Sequence, residues 1–137
     1  MDWAQGKYTL TDDRARVDVV RTHALLANTY WGVRRPFEIL SKMIEHSLPV
    51  VLLHENTQVG FARVVTDYTV FSWVADLVIE DAHRGQGFGQ WMITFIVQHP
   101  ALQRTQFVLQ TKDAHALYER YGFGRNEALM STPVEGL

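Results

Sequence analysis

A glycine-rich turn between a strand-like segment and a helix-like segment constrains this chain more than any other feature. Residues 71–79 are rich in β-branched and aromatic side chains, and residues 87–99 follow an amphipathic helical pattern. Glycines let the backbone approach a ligand closely, and the first turn of a helix presents amide N–H groups without intrahelical partners. The turn therefore predicts a phosphate or pyrophosphate site. We call it the glycine loop, and it consists of Arg84, Gly85, Gln86, Gly87, Phe88, Gly89 and Gln90.

Two common phosphate-binding sequences do not match the glycine loop. A P-loop has Lys followed by Ser or Thr after its last glycine, whereas Gln90 and Trp91 follow Gly89. The dinucleotide fingerprint is G-x-G-x-x-G with an acidic residue about 20 positions later. Here the spacing is G-x-G-x-G, and no Asp or Glu lies near Thr105. The loop therefore belongs to another kind of phosphate site.

A second motif follows, after a predicted helix and a predicted strand. Residues 113–123 read Asp-Ala-His-Ala-Leu-Tyr-Glu-Arg-Tyr-Gly-Phe, with a Leu-Tyr pair and a terminal Gly-Phe. In this order and spacing, the two motifs resemble those of the GNAT-type N-acetyltransferases. The resemblance covers the whole chain in element order and is specific over roughly residues 71–123.

The resemblance implies an acyltransferase with acetyl-CoA as its cosubstrate. Such an enzyme moves the acetyl group to a primary amine of an acceptor by direct attack in a ternary complex. Two alternatives stay open. One is a GNAT-fold module that binds acyl-CoA without efficient catalysis, and the other is a nucleotide-binding domain that does not select CoA over ADP.

Composition narrows the class of protein. The chain has 137 residues, of which 47% are hydrophobic and 20% charged, so we expect a single domain over residues 1–137. The net charge of −2 argues against nucleic acid as a partner, and no apolar run is long enough to span a membrane. The chain has no cysteine, which excludes disulfides and thiol nucleophiles and fits a cytoplasmic location.

The predicted element order is β-α-α-β-β-β-α-β-α-β. The first strand is expected at residues 7–10 and the last within residues 127–132, while Asp113 is expected to cap a helix over residues 114–121. Three hairpin-connected strands precede a crossover to a parallel strand. This order predicts an α+β, or mixed α/β, fold. The expected single GNAT-like domain has a central mixed sheet of about six strands flanked by about four helices.

Periodicity predicts which side chains share a face. In the helix expected at residues 18–28, one face carries Val20, Ala24 and Ala27, and Leu25 and Leu26 widen it. In the strand expected at residues 71–79, one face carries Ser72, Val74, Asp76 and Val78. Both faces of that strand are largely apolar, which indicates a central position in the sheet.

The resemblance also implies roles for individual residues. The backbone of Leu77, Val78 and Ile79 is expected to pair with the pantetheine arm of the cosubstrate, which requires this strand to separate from the next one. The glycine loop is expected to hold the pyrophosphate, with Arg84 assisting. Tyr118 matches the tyrosine that commonly serves as general acid in the superfamily, and a tyrosine that only packs on the sheet is the alternative.

Asp76 is the candidate for a general base or a substrate anchor. It interrupts an apolar strand, so its carboxylate requires a partner or a polar cleft. A buried carboxylate satisfied by backbone N–H groups is the alternative, and Glu80 is the second candidate base. Some relatives carry a Glu near the position of Gln110, and Gln110 cannot act as a base.

The remaining expectations concern ligands and partners. The six histidines show no metal-binding spacing, so no metal is expected. The acceptor is expected to be a small-molecule or peptide amine, and a homodimer is possible because the final segment is short. Tyr30, Trp31 and Trp73 are candidates for the acceptor pocket or for the core.

Overall fold

The computed structural model describes residues 1–133, which form one six-stranded sheet with helices packed on it. Neighbouring strands follow chain order, and every pair is antiparallel except the last, which is parallel. This confirms the predicted mixed α/β sheet. The strands are β1 (Asp2–Gln5), β2 (Tyr8–Thr11), β3 (Leu48–His54), β4 (Thr57–Thr66), β5 (Phe71–Ile79) and β6 (Gln106–Leu109).

Four α-helices accompany the sheet within the described residues: α1 (Val19–Ala27), α2 (Phe37–Glu45), α3 (Phe88–Val97) and α4 (His115–Glu119). The side chain of Asp18 caps α1 by accepting a hydrogen bond from the Arg21 amide at 3.0 Å. Pro36 stands at the start of α2, where its missing N–H leaves no bond unmade. None of the helices in residues 1–133 is long and apolar enough to cross a membrane.

The two ends of the sheet differ from the predicted order. Strand β1 was not predicted, because it is short and polar and forms only by pairing across Gly6 with β2. The prediction of a last strand within residues 127–132 was wrong, since those residues form no strand. Within residues 1–133, β6 is therefore an edge strand.

The start of α4 also differs from its prediction. Ala114, and not Asp113, occupies the capping position, and it makes no side-chain capping bond. The Ala114 amide instead donates to Thr111 Oγ1 at 3.1 Å. The helix is shorter than expected, and Gly122 follows it with a φ of +91°.

The hydrophobic core has two parts, one on each face of the sheet. The first packs α3 onto the sheet through Phe88, Met92, Phe95 and Ile96. The second packs α1 and α2 onto the other face through Leu25, Leu26 and Ile44. The predicted helix face was wrong at Val20, which is 67% exposed, whereas Leu25 and Leu26, which were expected to widen that face, are buried.

A β-bulge at Asp76 changes which face each residue of β5 occupies. Phe61 pairs with Val78 but Arg63 pairs with Ala75, so β5 contains one extra residue here. Asp76 has a φ of +60°, in the left-handed region. One extra residue reverses the alternation of a strand. The prediction that Val74 and Val78 share a face was therefore wrong, since Val74 joins the α3 core and Val78 the α1–α2 core.

Candidate active site

Strands β5 and β6 separate before β5 ends. Their parallel pairing runs from Phe71 with Gln106 to Val74 with Leu109. Beyond that point β5 continues to Ile79 alongside β4 alone. The β6-facing edge of residues 75–79, which includes Leu77, Val78 and Ile79, therefore has no strand partner within residues 1–133. We call this opening the strand gap.

The glycine loop follows β5 after a short 3-10 turn at Asp81–His83, and its last three residues form the first turn of α3. Gly87 is the capping residue of α3, with a φ of +82°, and the first helical bond runs from the Trp91 amide to the Gly87 carbonyl at 3.0 Å. The amides of Phe88, Gly89 and Gln90 precede that bond and have no intrahelical partner. Since no side chain caps the helix, these amides are available to an anion.

The space around the glycines fits a ligand that approaches the backbone. Gly85 and Gly87 have positive φ values, and this backbone conformation alone explains why glycine occurs at both positions. Gly89 does not, and a Cβ built on it meets only Leu77 Cδ2, at an ordinary 3.8 Å. Neither backbone conformation nor internal packing requires glycine at position 89. A phosphate held against this amide would require it.

Arg84 is fixed at the junction between β5 and the loop. Its Nε donates to the Ile79 carbonyl oxygen at 3.0 Å, and its Nη1 lies 3.2 Å from Asp81 Oδ1. The base of the loop is also tied to the sheet, because the Tyr8 hydroxyl and His83 Nδ1 are 2.8 Å apart. The guanidinium of Arg84 is thus held half-exposed between the end of β5 and Asp81.

A cavity of about 600 Å³ opens at the strand gap, and Tyr118 lies at its wall. We call it the gap cavity. Its lining includes the three aromatic residues singled out from the sequence, Tyr30, Trp31 and Trp73, together with Arg35, Asp76, Leu77, Gln110, Lys112, Asp113 and Tyr118. The pocket interpretation of the aromatic residues therefore fits the structure better than the core interpretation.

The hydroxyl of Tyr118 is in its neutral form at physiological pH. Burial raises its pKa above the ordinary value, and the negative charge of Asp113 raises it further. Its ring makes an edge contact with Phe123, with centroids 5.9 Å apart. A phenol in this state is a proton donor.

Asp76 lies between two arginines. Its Oδ1 accepts from Arg35 Nη1 and its Oδ2 from Arg63 Nε, each at 2.5 Å. Its side chain is only 1% exposed. The partners are therefore guanidinium groups and not the backbone N–H groups considered from the sequence. We call these three residues the Asp76 cluster.

A second cavity, of about 730 Å³, lies along β6 and the segment after α4. Tyr118 borders it as well, but the unpaired edge of β5 does not. The gap cavity is the one that combines the strand gap with Tyr118 and charged side chains, so we place the candidate active site there.

Sequence reasoning missed Arg35 and Arg63. The one signal for them was Asp76 itself, because a carboxylate in an apolar strand requires a partner. Nothing in the spacing indicates which residues provide it, since they are 41 and 13 positions away. Within residues 1–133, no cluster of three or more His, Asp or Glu side chains is placed to hold a metal ion.

Comparison with known families gives one clear match. The acetyltransferase (GNAT) domain model matches residues 45–125. A Gibberella zeae protein whose name describes it as an acetyltransferase is 27% identical to this chain. The match covers 91% of this chain and 80% of that protein.

Solved structures agree with this match. A crystal structure of a Xanthomonas campestris pv. campestris protein, assigned to the GNAT acetyltransferases, is 34% identical with a TM-score of 0.88, and 95% of each chain is covered. A Clostridium acetobutylicum protein described as a predicted acetyltransferase, solved with acetyl-CoA, shares the fold with a TM-score of 0.69. The two chains are 13% identical, and the match covers 92% of this chain and 94% of that chain.

Proposed function

Because this chain belongs to the GNAT acetyltransferase family, we propose that it is an acetyl-CoA-dependent N-acetyltransferase. In this proposal it moves the acetyl group to a primary amine by direct attack in a ternary complex. The observation that carries the proposal is the strand gap, which has the glycine loop at the end of β5 and Tyr118 beside the gap cavity. The relative solved with acetyl-CoA supports the choice of cosubstrate.

The glycine loop is the proposed binding site for the pyrophosphate. The free amides of Phe88, Gly89 and Gln90 donate to its oxygens, and the positive end of the α3 dipole favours its charge. Gln86 and Gly87 contribute the preceding amides, and Arg84 contributes its guanidinium. The open space next to Gly89 fits this role.

The unpaired edge of β5 is the proposed binding site for the pantetheine arm. Leu77, Val78 and Ile79 lie on the part of β5 that borders the strand gap, where β6 no longer pairs with it. A backbone N–H at this edge, directed at the thioester oxygen, stabilises the oxyanion that forms when the amine attacks. One such donor contributes about 3 kcal/mol to transition-state stabilisation.

Tyr118 is the proposed general acid. Bound acetyl-CoA supplies a thioester carbonyl, to which a neutral amine adds. As the carbon–sulfur bond breaks, the phenol of Tyr118 donates its proton to the departing sulfur. The protonated amide product loses a proton to solvent, and the phenolate of Tyr118 regains one from solvent. The raised pKa of Tyr118 keeps that proton in place up to alkaline pH.

Asp76 is proposed to act as a substrate anchor through Arg35, whose guanidinium it holds at the wall of the gap cavity. Both of its carboxylate oxygens accept hydrogen bonds from guanidinium groups, which favours this role over that of a base. The proposal therefore requires no carboxylate base, and the acceptor reacts as the fraction of amine that is already neutral.

The test is Tyr118→Phe, with Tyr121→Phe as the matched control. We expect Tyr118→Phe to lower kcat by about 10²- to 10⁴-fold, the usual contribution of a general acid. CoA affinity, measured by calorimetry, is expected to stay within about twofold of the wild type's, because the phenol acts on the leaving group. Tyr121→Phe is expected to leave both quantities unchanged.

The result also separates the alternatives. Acetyl-CoA binding without turnover of any amine by the wild type would identify a binding module. Equal affinity for ADP and CoA would identify a nucleotide site that does not select CoA. Turnover that survives Tyr118→Phe would show that another group, or solvent, protonates the thiolate.

A further inference from the structure

We propose that the gap cavity takes an acceptor that carries a carboxylate in addition to its primary amine, and that Arg35 binds this carboxylate. The inference rests on the proposed function and names the acceptor class for the same site. It starts from the charges of the Asp76 cluster.

The Asp76 cluster has a surplus positive charge. It brings two guanidinium groups to one carboxylate, so its net charge is +1. These side chains are largely buried, with exposed fractions of 14% for Arg35, 16% for Arg63 and 1% for Asp76. Low local polarity strengthens the attraction of the surplus charge for an anion.

The surplus charge reaches the cavity through Arg35. Arg63 has a second partner, because its Nη1 donates to Ser47 Oγ at 3.1 Å, and it does not line the gap cavity. Arg35 lines the cavity, and within residues 1–133 its guanidinium makes one hydrogen bond, from Nη1 to Asp76 Oδ1. The planar guanidinium of Arg35 therefore retains donors in the fork geometry that fits a carboxylate.

The gap cavity also has a negatively charged side chain in its lining. Asp113, in the segment before α4, also lines the gap cavity, and its charge acts on Tyr118. Lys112 has its Nζ above the Tyr30 ring, 5.4 Å from the centroid. Its charge is therefore engaged in a cation–π contact. An ammonium group near Asp113 and a carboxylate at Arg35 would each meet a side chain of opposite charge.

The experiment compares amino acids with the amines they form on loss of the carboxylate. The probe pairs are phenylalanine with phenethylamine, tryptophan with tryptamine, and lysine with 1,5-diaminopentane. We expect the wild type to acetylate at least one amino acid with a kcat/KM about tenfold or more above that of its decarboxylated partner. A ratio of one or less in every pair would overturn the inference.

Arg35→Gln and Arg34→Gln form a matched pair of variants. They remove the same charge from adjacent positions, but Arg34 is exposed and does not line the cavity. We expect Arg35→Gln to raise KM for the amino acid about ten- to hundredfold while the amine's KM stays the same, and Arg34→Gln to change neither. Arg35→Lys retains the ion pair with Asp76 and is expected to recover part of the preference.

Two readouts keep this test separate from that of the proposed function. Turnover of the amines without any preference for carboxylate would overturn the inference and leave the N-acetyltransferase standing. Failure of acetyl-CoA to bind would overturn both. If Arg35→Gln does not fold, the ratio measured on the wild type alone decides the inference.

Discussion

At the scale of single residues, Asp76 combines two unfavourable features. A left-handed backbone costs a non-glycine residue about 1–2 kcal/mol, and a charge that is 1% exposed is costly to desolvate. Both are offset when the bulge directs the carboxylate at Arg35 and Arg63. The strain is thus tied to the geometry of the gap cavity, which Arg35 and Asp76 both line.

Asp76→Asn tests this balance. Asparagine tolerates a left-handed backbone, so the substitution removes the charge and leaves the bulge feasible. We expect the free energy of unfolding in urea to fall by about 3–5 kcal/mol, because two largely buried guanidinium groups lose their counter-charge.

Asp81→Asn is the control for this substitution. Asp81 pairs with Arg84 but is 84% exposed, so its loss is expected to change stability by less than about 0.5 kcal/mol. Similar small losses for both variants would show that the Asp76 cluster contributes little to stability.

At the scale of elements, the start of α3 separates folding from ligand binding. Phe88 begins the helix and packs its ring against Tyr8, with centroids 4.2 Å apart, while the amides that follow face outward without partners. The first turn is thus anchored by its side chains, which leaves its backbone available to a phosphate.

Gly89→Ala exploits that separation. The added methyl group has room in the protein, and alanine is the better helix former by about 1 kcal/mol, so the melting temperature is expected to stay or rise. CoA affinity is expected to fall by about tenfold or more, because the methyl group occupies the space next to the proposed pyrophosphate.

Gly124→Ala is the control, since Gly124 also has open space and lies outside the loop. It is expected to leave CoA affinity unchanged. Full CoA affinity in Gly89→Ala would place the pyrophosphate elsewhere.

At the scale of the whole molecule, a polar network ties the first residues to the segment after α3. His99 Nδ1 accepts from the Ala101 amide, so its Nε2 carries the proton that bonds Asp12 Oδ2 at 2.6 Å. The Met1 amino group donates to Asp12 Oδ1 at 2.7 Å. Burial acts to raise the pKa of Asp12, but these two bonds outweigh it and the pKa is lowered.

Asp12→Asn is therefore expected to have a pH-dependent effect on stability. A lowered folded-state pKa contributes stability above the unfolded pKa of about 3.9, and that stability is lost as pH falls through the folded value. At pH 7 we expect a loss of about 1–3 kcal/mol in the free energy of unfolding.

The difference from wild type is expected to shrink towards zero as the pH falls through the lowered folded-state pKa of Asp12. Asp13→Asn, at the adjacent exposed position, is expected to show no such pH dependence. A loss in Asp12→Asn that stays constant from pH 7 to pH 2 would show that charge is not its cause.

How much of the fold could be predicted depended on how local each signal is. The strand β5, the turn at Gly85 and Gly87 and the helix α3 are specified by side chains within a few positions of each other, and they were predicted. β1 was missed because it forms only by pairing with β2. The strand expected within residues 127–132 was wrong because strand propensity alone provides no partner.

The sequence by itself determined the family, through its two motifs, and the mixed sheet, through the order of its elements. It also determined the free amides at the start of α3, because the backbone preference of Gly87 is local. Only the tertiary structure decided which charges meet in the gap cavity. Arg35 reaches Asp76 across 41 positions, and the bulge that aims Asp76 reverses the alternation of β5. Such contacts depend on how the chain packs, since a buried charge requires a partner but does not specify where in the sequence that partner lies.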